Sequence, residues 1–237
     1  MMAKWFILGI VLGVGSAYSV VAGKLTWLAA CCGVLLALLI YGTGGFTGIA
    51  MMAFFFLAGT VATSWKLQWK QQQGLAESNK GKRTAGQVIA NAGIPALAGL
   101  IGMLIPSVED LMRLMIAAAF AAATADTLSS ELGNIYGRRY YNILSFKKDQ
   151  RGLDGVVSLE GTACGLAGSF LIAIIYAIGS YGSSGNVLII ILAGTLGNIT
   201  DSVLGATVER KQWIGNDAVN FLNTAIAALS AWAMTSA

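Results

Sequence analysis

The sequence contains no histidine among its 237 residues. This absence excludes Ser-His-Asp and Cys-His nucleophilic sites and every histidine-based metal centre. The three cysteines, Cys31, Cys32 and Cys164, stand in apolar runs without a Cys-x-x-Cys pair, which is typical of small buried hydrophobic residues. Neither a GxxxxGK[ST] phosphate loop nor a GxGxxG dinucleotide motif occurs. The sequence therefore excludes a soluble-type P-loop.

Charged residues are also scarce. They make up 11% of the chain, against about 25% in soluble domains, while 56% of the residues are hydrophobic and the mean hydropathy is +0.71. Apolar runs of about 20 residues are each long enough to cross a bilayer core of about 30 Å. We therefore predict an all-α, polytopic transmembrane helix bundle that forms one integral membrane domain over 1–237, with N-terminal helices in 1–65 and catalytic helices in 81–237.

Seven to eight spans are expected in this bundle. The second and third are short and flank a glycine-rich turn, so a re-entrant segment at this point would reduce the count from eight to seven. The eight spans lie at roughly 5–22, 25–41, 46–65, 86–105, 111–131, 159–179, 187–208 and 217–235.

Lysine and arginine are confined almost entirely to one side of this arrangement. Of the 15 basic residues, all except Lys4 and Arg113 fall on one side, mainly in the loops 66–84 and 132–158. The positive-inside rule makes that side cytoplasmic and puts both termini on the other side. The net charge of +4 is explained by this topology, so we expect no nucleic-acid partner. The plasma membrane is the default location, and the sequence leaves the oligomeric state open, a homo-oligomer included.

The segment Ala122–Gly133, AATADTLSSELG, has the most informative polar residues. Its carboxylates, Asp126 and Glu131, end a long apolar run, where a buried charge costs roughly 2.5–3.5 kcal/mol and is retained only beside a metal ion or a cationic group. Asp126, Ser129, Ser130 and Gly133 are spaced i, i+3, i+4 and i+7, which places them on one helix face. We predict that this small, polar face forms part of a ligand site.

Further carboxylates and amides lie at the same cytoplasmic depth at four other helix ends, whereas the outer halves of these helices have almost none. Scattered core residues would not segregate in this way, so we predict one shared site. The segment around Asp201, ITDSV, resembles TADTL around Asp126, and two such helices that face each other could hold Mg²⁺ between them. The other candidate substrate- or nucleotide-binding residues are Lys82, Arg83, Gln87, Asn91, Arg138, Lys147, Asp154, Gly155, Ser158, Glu160, Gly161, Thr162, Asn198, Ser202, Asn216, Asp217 and Asn220.

The residue types indicate phosphoryl chemistry. Carboxylate and amide oxygens form a hard ligand set that suits Mg²⁺, and we predict Asp126, Glu131 and Asp201 as catalytic and metal-binding residues. Basic residues at the rim, Lys80 among them, would neutralise phosphates, while glycines before and at the start of the sixth span would favour a phosphate at a helix N-terminus. For Lys147 a topology signal, and for Asn220 an interhelical hydrogen bond, are the alternatives. A phosphate monoester is itself a nucleophile, which agrees with the missing histidine.

Five motifs, in order, resemble the membrane family that contains the plant and cyanobacterial phytyl-phosphate kinases. A more distant similarity is to CTP-dependent polyprenol and dolichol kinases and CDP-diacylglycerol synthases. The chain departs from the family pattern at Leu128 and Glu209, and neither departure removes a carboxylate. The resemblance runs from about residue 23 to the end, and its motifs are GKRTAGQVIANAG (81–93), AATADTLSSELG (122–133), GLDGVVSLEGTACGLAGS (152–169), GNITDSVLGA (197–206) and GNDAVNFLN (215–223).

The resemblance implies a membrane-bound, Mg²⁺-dependent phosphotransferase. Such an enzyme would transfer a phosphoryl group from a nucleoside triphosphate, with CTP suspected, to an isoprenyl monophosphate lipid and so form the diphosphate. The alternatives are a CTP-dependent cytidylyltransferase or prenol kinase, and a transporter or flippase of a phosphorylated lipid. Transporters usually need polar groups near the midplane of the membrane, and the outer halves of the predicted spans offer none.

Overall fold

The computed structural model describes residues 2–76, 81–179 and 184–235, and helices account for most of them. Lys80 lies outside the described residues. A 3₁₀ turn, Pro106–Val108, precedes the fifth helix, and a wider π-helical turn, Gly205–Glu209, follows the seventh. The helices are α1 (Met2–Val21), α2 (Trp27–Ser64), α3 (Leu67–Gln72), α4 (Ala85–Leu104), α5 (Glu109–Tyr136), α6 (Leu159–Ile178), α7 (Ser184–Leu204) and α8 (Asn216–Thr235).

Seven of these helices, all except the six-residue α3, are long and apolar enough to cross a membrane. This confirms the predicted polytopic helical membrane fold. The described strands are β1 (Tyr141–Asn142) and β2 (Val156–Val157), which pair antiparallel with Tyr141 opposite Val157. Neither α3 nor this small hairpin is predicted from the apolar periodicity, because both lie in polar connecting segments.

The 38-residue α2 folds back on itself at Gly45. Gly45 has φ 55° and ψ −151°, a conformation that is essentially confined to glycine. Lys24 Nζ, just before α2, lies 2.9 Å from Ser64 Oγ at its end, whereas the ends of a straight helix of this length would be about 57 Å apart. The two arms, 27–44 and 46–64, are each about 27 Å long, which is enough for each to cross the bilayer core once.

The reversal in α2 settles the span count. Arg113 Nε, at the start of α5, donates to Thr43 O beside the turn (3.0 Å), so the turn lies at the far end of the bundle from Lys24 and Ser64. Neither arm is therefore re-entrant. The predicted second and third spans are two arms of one helical hairpin, and the seven long helices make eight crossings.

The helix α5 lies at the centre and packs against α2, α4, α6, α7 and α8. Residues 116–123 of this helix, six of them alanine, are fully buried. Such small side chains let neighbouring helices approach closely. Helix α6 approaches closely at Gly161, where an added Cβ would lie 2.7 Å from Ser129 O and 3.1 Å from Gly133 Cα. In contrast, α1 is peripheral, with only Leu8 and Ser19 buried.

One end of the bundle, which we call the basic face, carries the segments 22–26, 65–76, 81–84, 137–158 and 205–215. Contacts between these segments show that they share one end: Trp65 Nε1 donates to Tyr136 Oη (2.8 Å), and Arg210 Nε donates to Asp154 O (2.6 Å). The short helix α3 docks here through Lys70, which is fully buried. Its Nζ donates to Ala62 O (3.1 Å), Thr63 O (2.7 Å) and Glu131 Oε2 (2.5 Å).

Candidate active site

A cavity of about 390 Å³ opens at the basic face between α4, α5, α6, α7, α8 and the segment 137–158. Five predicted site residues do not line it, namely Lys82, Arg138, Lys147, Glu160 and Asp217. The structure thus brings most of the predicted residues to one place. Those that line the cavity are Arg83, Gln87, Asn91, Asp126, Ser129, Ser130, Glu131, Asp154, Gly155, Ser158, Gly161, Thr162, Asn198, Asp201, Ser202, Asn216 and Asn220.

Asp126 on α5 and Asp201 on α7 face each other across this cavity, with their carboxyl groups within hydrogen-bonding reach. The helices run in the same direction, and Gly197 packs against Ala122 so closely that an added Cβ would lie 2.6 Å from Ala122 Cβ. One turn further along, the same register brings Asp126 beside Asp201. Asn223 Nδ2 on α8 donates to Asp201 Oδ2 (3.3 Å) and orients that carboxylate. The structure thus brings the two aspartates together.

Two more carboxylates, those of Asp154 and Glu209, line the cavity near Asp126 and Asp201 and form an acidic wall with them. Asp154, in the segment 137–158, lies within electrostatic range of both Asp201 and Glu209. Glu209 also lies within electrostatic range of Asp201. Glu209 lines the cavity but is absent from the predicted site. It ends the π-helical turn Gly205–Glu209, whose wider turn brings it back towards the face of Asp201. A regular helical pattern would point Glu209 elsewhere, so its only sequence signal is its charge close to Asp201.

The donor set fits a magnesium ion that arrives with a nucleotide. In the part of the chain that the structure describes, no three acidic or cysteine side chains converge closely enough to enclose a metal ion. Mg²⁺ is commonly held by one or two carboxylates together with substrate phosphates, and the facing pair Asp126 and Asp201 meets that requirement. Asn220 Oδ1, buried in the cavity wall without a hydrogen-bond partner, is a further hard oxygen donor.

Glu131 does not join the aspartate pair, contrary to the predicted three-carboxylate set. It follows Asp126 by five residues and is therefore rotated about 140° around the helix. Its carboxylate is bound by Lys70 of α3, at 2.5 Å. The sequence does not predict this contact, because Lys70 stands in a connecting segment whose basic residues indicate membrane topology, whereas the structure buries it at the end of α2.

Arg83 places positive charge in the cavity. Its backbone is fixed to the segment before α2, since Thr26 N donates to Arg83 O (3.1 Å) and Arg83 N donates to Lys24 O (2.9 Å). The guanidinium lies over the ring of Phe55, 4.6 Å from its centroid. Gly59 leaves room for it, because an added Cβ there would lie 2.2 Å from Arg83 Nη2. A guanidinium held in this way suits a phosphate group.

The other predicted basic residues lie away from the cavity. Lys82 and Lys147 are exposed, and Arg138 is 89% exposed with its Nε 4.0 Å from Glu160 Oε1. Asp217 lies at the N-terminus of α4, close to Gly86. Lys82, Arg138 and Lys147 point outwards because they lie in the segments that connect the long helices, beyond the converging faces.

The amides and hydroxyls at the helix starts are already engaged. Gln87 and Thr84 form a capping box, in which Thr84 N donates to Gln87 Oε1 (3.0 Å) and Gln87 N donates to Thr84 Oγ1 (3.3 Å). Ser158 caps α6 by accepting from Gly161 N (3.1 Å). These residues therefore shape the cavity wall by fixing where α4 and α6 begin.

The segment 137–158 covers the cavity and is clamped by Arg210. Its Nη2 donates to Asp149 Oδ2 (2.8 Å), and this hydrogen bond lowers the pKa of the Asp149 carboxyl below its usual range. Gly155 has φ 71°, and an added Cβ would lie 2.4 Å from Ala206 N. The predicted phosphate-binding glycines, Gly155 and Gly161, thus serve close backbone packing in this structure.

Comparison with known proteins places the chain in a family. Residues 10–228 match the family model described as integral membrane protein DUF92. The chloroplast protein VTE6 of Arabidopsis thaliana is 32% identical over 223 residues, which are 92% of this chain but only 63% of VTE6. Uncharacterized membrane proteins from Synechocystis sp. and Methanocaldococcus jannaschii are 31% and 30% identical, over 82% and 77% of this chain and 76% and 74% of their own lengths.

No solved structure matches the chain. The family model covers most of the sequence, and the matched region contains all five motifs on which the resemblance was based. The chain therefore belongs to the DUF92 family of integral membrane proteins, the family that contains the phytyl-phosphate kinases.

Proposed function

We propose that this protein is a membrane-bound phosphotransferase that transfers the γ-phosphoryl group of a nucleoside triphosphate, with CTP suspected, to an isoprenyl monophosphate. The observation that supports this proposal is the facing pair Asp126 and Asp201 in a polar cavity that also contains Arg83. Phosphoryl transfer needs little beyond positioning and charge neutralisation. Membership in the family that contains the phytyl-phosphate kinases supports the same reaction.

Each group in the cavity then has a role. Asp126 and Asp201 would hold Mg²⁺, which when bound would neutralise charge on the nucleotide phosphates. Arg83 binds phosphate oxygens, and Asn216 and Asn220 orient the acceptor. An oxygen of the acceptor phosphate forms a bond to the γ-phosphorus while the bond from that phosphorus to the β-bridging oxygen breaks, and the nucleoside diphosphate leaves. The acceptor oxygen is already anionic, so no histidine or other base is required.

The proposed location follows from the same geometry. The basic residues cluster at the face where the cavity opens, and the positive-inside rule makes that face cytoplasmic. Nucleoside triphosphates are available there. We propose a plasma-membrane enzyme whose site faces the cytoplasm.

A labelled-nucleotide assay tests the reaction. Purified protein is incubated with geranylgeranyl monophosphate, MgCl₂ and CTP or ATP labelled at the γ- or α-phosphorus. We expect γ-label, and no α-label, in the lipid product. Transfer of α-label would identify a cytidylyltransferase instead. Movement of unmodified lipid across vesicles without any label would identify a transporter.

Asp126→Asn and Asp201→Asn test the carboxylate pair. Each should lower the turnover rate by ~10²–10³-fold, the loss typical of removing one charged group that acts in the transition state. The matched control is Asp110→Asn, since Asp110 is 95% exposed at the opposite end of α5. Size-exclusion profiles in detergent verify that each variant is folded. Rates like that of the unmodified protein in both cavity variants would refute the mechanism.

A further inference from the structure

The wall of the cavity formed by α6 and α7 differs from the acidic wall. Besides Gly161 of α6 and Asn198 and Asp201 of α7, it is lined by Thr162 on α6 and by Thr195, Ile199 and Ser202 on α7. Their hydroxyl groups donate to carbonyls of their own helices: Thr162 Oγ1 to Ser158 O (3.0 Å), Thr195 Oγ1 to Ile191 O (2.7 Å) and Ser202 Oγ to Asn198 O (3.3 Å). With these protons engaged, the three hydroxyl residues and Ile199 present mainly methyl and methylene groups to a ligand.

The cavity reaches the outer surface of the bundle at this wall. Ile199 lines the cavity and is nevertheless 43% exposed, and Thr162 is also exposed. Between α4 and α8, by contrast, the lining residues Asn91 and Asn220 are buried, each 8% exposed. Beside them the ring of Phe221 packs against Gly93, where an added Cβ would lie 3.3 Å from Phe221 Cε2.

The opening is bounded on its inner side. Further from the basic face, α6 and α7 are in close contact. A Cβ added to Gly165 would lie 2.7 Å from Asn198 Nδ2, and a Cβ added to Gly194 would lie 2.6 Å from Ser169 Oγ. The groove therefore ends at the contact of Ser169 with Gly194, which is at the level of Thr195, and Ile199 is at its outer edge.

The depth of the opening places it in the hydrocarbon of the bilayer. Thr195 precedes Gly205, at the basic end of α7, by ten residues, or about 15 Å of helix, which is half of a bilayer core of about 30 Å. The neighbouring surface is apolar, with Leu166, Leu192 and Leu196 each more than 40% exposed. A molecule in this groove would contact lipid chains rather than water.

We propose that the cavity opens sideways between α6 and α7 and that the isoprenoid chain of the acceptor lies in this opening. The phosphate end would then reach Asp126 and Asp201 while the hydrocarbon end stays in the bilayer. This proposal rests on the proposed function for the identity of the acceptor, and it adds the path of the chain and the residues that border it. Transferring the chain into water would be costly in proportion to its apolar area, and this path avoids that transfer.

Tryptophan substitutions in the groove test the path. Thr195→Trp and Ile199→Trp narrow it, whereas Leu196→Trp, one residue away on the lipid side of α7 and outside the cavity lining, is the matched control. The readout is the ratio of kcat/KM for geranylgeranyl monophosphate to that for dimethylallyl monophosphate, whose five-carbon chain is short. We expect this ratio to fall by at least about tenfold in the groove variants and to stay within about twofold in the control. An equal ratio in all three variants would overturn the proposal.

Photolabelling gives a second, activity-independent measurement. The unmodified protein is incubated with a geranylgeranyl monophosphate analogue that carries a diazirine at the chain end, irradiated, digested and sequenced by mass spectrometry. Labels on α6 and α7 around 162–166 and 192–199 are expected, and labels on α4 and α8 would overturn the path. Labelling of α6 and α7 in a protein that transfers no phosphoryl group would refute the proposed reaction and leave the chain path standing.

Discussion

At the scale of single residues, the buried ion pair between Lys70 and Glu131 holds α5, which forms part of the cavity wall, against α3 and the end of α2. Lys70 is fully buried, and its three acceptors come from the end of α2 and from α5. Lysine is almost never fully buried unless paired, and here every proton of its ammonium group has a partner. The pair therefore ties α3 and α2 to the helix that carries Asp126.

Lys70→Met should destabilise the protein by about 3–5 kcal/mol, because it leaves the Glu131 carboxylate without its cation. The measurement is the midpoint of unfolding in detergent. Lys148→Met, at an exposed lysine, is the control and should change stability by about 0.5 kcal/mol or less. The double variant Lys70→Met/Glu131→Gln should regain part of the loss. If Lys70→Met unfolds at the same midpoint as the unmodified protein, the ion pair has no role in stability.

The sequence predicts a site residue correctly where the neighbouring residues in the sequence already indicate that its side chain is buried. Asp126 and Asp201 stand among small apolar residues, so a charge there demanded a partner. The prediction fails where burial depends on tertiary contacts. Lys70 sits in a polar segment, and nothing in that segment shows that it folds under α2. Glu209 is the last residue of a π-helical turn, whose position the periodicity of a regular helix does not predict.

At the scale of elements, the reversal of α2 depends on one backbone conformation. Gly45→Ala should destabilise the protein by about 1–3 kcal/mol, since a Cβ makes φ 55° with ψ −151° strained. Gly9→Ala on the peripheral α1 is the control, because an added Cβ there meets nothing within 4 Å. It should be neutral or stabilising by up to about 1 kcal/mol. Equal unfolding midpoints for the two variants would contradict the assigned turn.

The contact between α5 and α6 depends on the absence of side chains. Gly161→Ala would place a Cβ 2.7 Å from Ser129 O, so the helices must separate. We expect a loss of about 1–3 kcal/mol in stability, together with reduced turnover because Ser158 and Asp154 move with the start of α6. Unfolding in detergent and the labelled-nucleotide assay measure the two effects. Gly13→Ala on α1, where an added Cβ also meets nothing, is the control, and an unchanged Gly161→Ala would contradict close packing at this crossing.

At the scale of the whole molecule, eight crossings put both chain ends on the same side. Trp5 near the N-terminus packs against Tyr41 beside the α2 turn, at 5.2 Å between ring centroids, and Ala231 near the C-terminus belongs to the core with Ile116 and Ile190. Both ends thus lie away from the basic face.

Topology reporters check this arrangement. Alkaline phosphatase fused to either terminus should be active outside the cytoplasm, and green fluorescent protein inserted after Gly74 should fluoresce inside. Activity at only one terminus would mean an odd number of crossings and would contradict the hairpin in α2. As a control, green fluorescent protein fused to either terminus should not fluoresce.

Composition and apolar run length were enough to predict the helical membrane fold, because the bilayer permits few alternatives. The depth of the site followed from polar residues that segregate to one end of several helices. The sequence of a single helix does not predict which helices pack together, and therefore does not predict which carboxylates lie close to each other. This packing follows from the small residues that let α6 and α7 approach α5, as Gly161 and Gly197 show.

The buried, alanine-rich middle of α5 bears on whether a lipid could pass through the bundle from one leaflet to the other. Residues 116–123 are fully buried, and among the described residues of α7 none before Thr195 lines the cavity. A diphosphate made at the aspartate pair would therefore find no route through the bundle and would diffuse back into the leaflet that delivered its precursor. If the proposed reaction holds, delivery to the other leaflet would need a separate translocating protein, and the product would be enriched on one side of the membrane only.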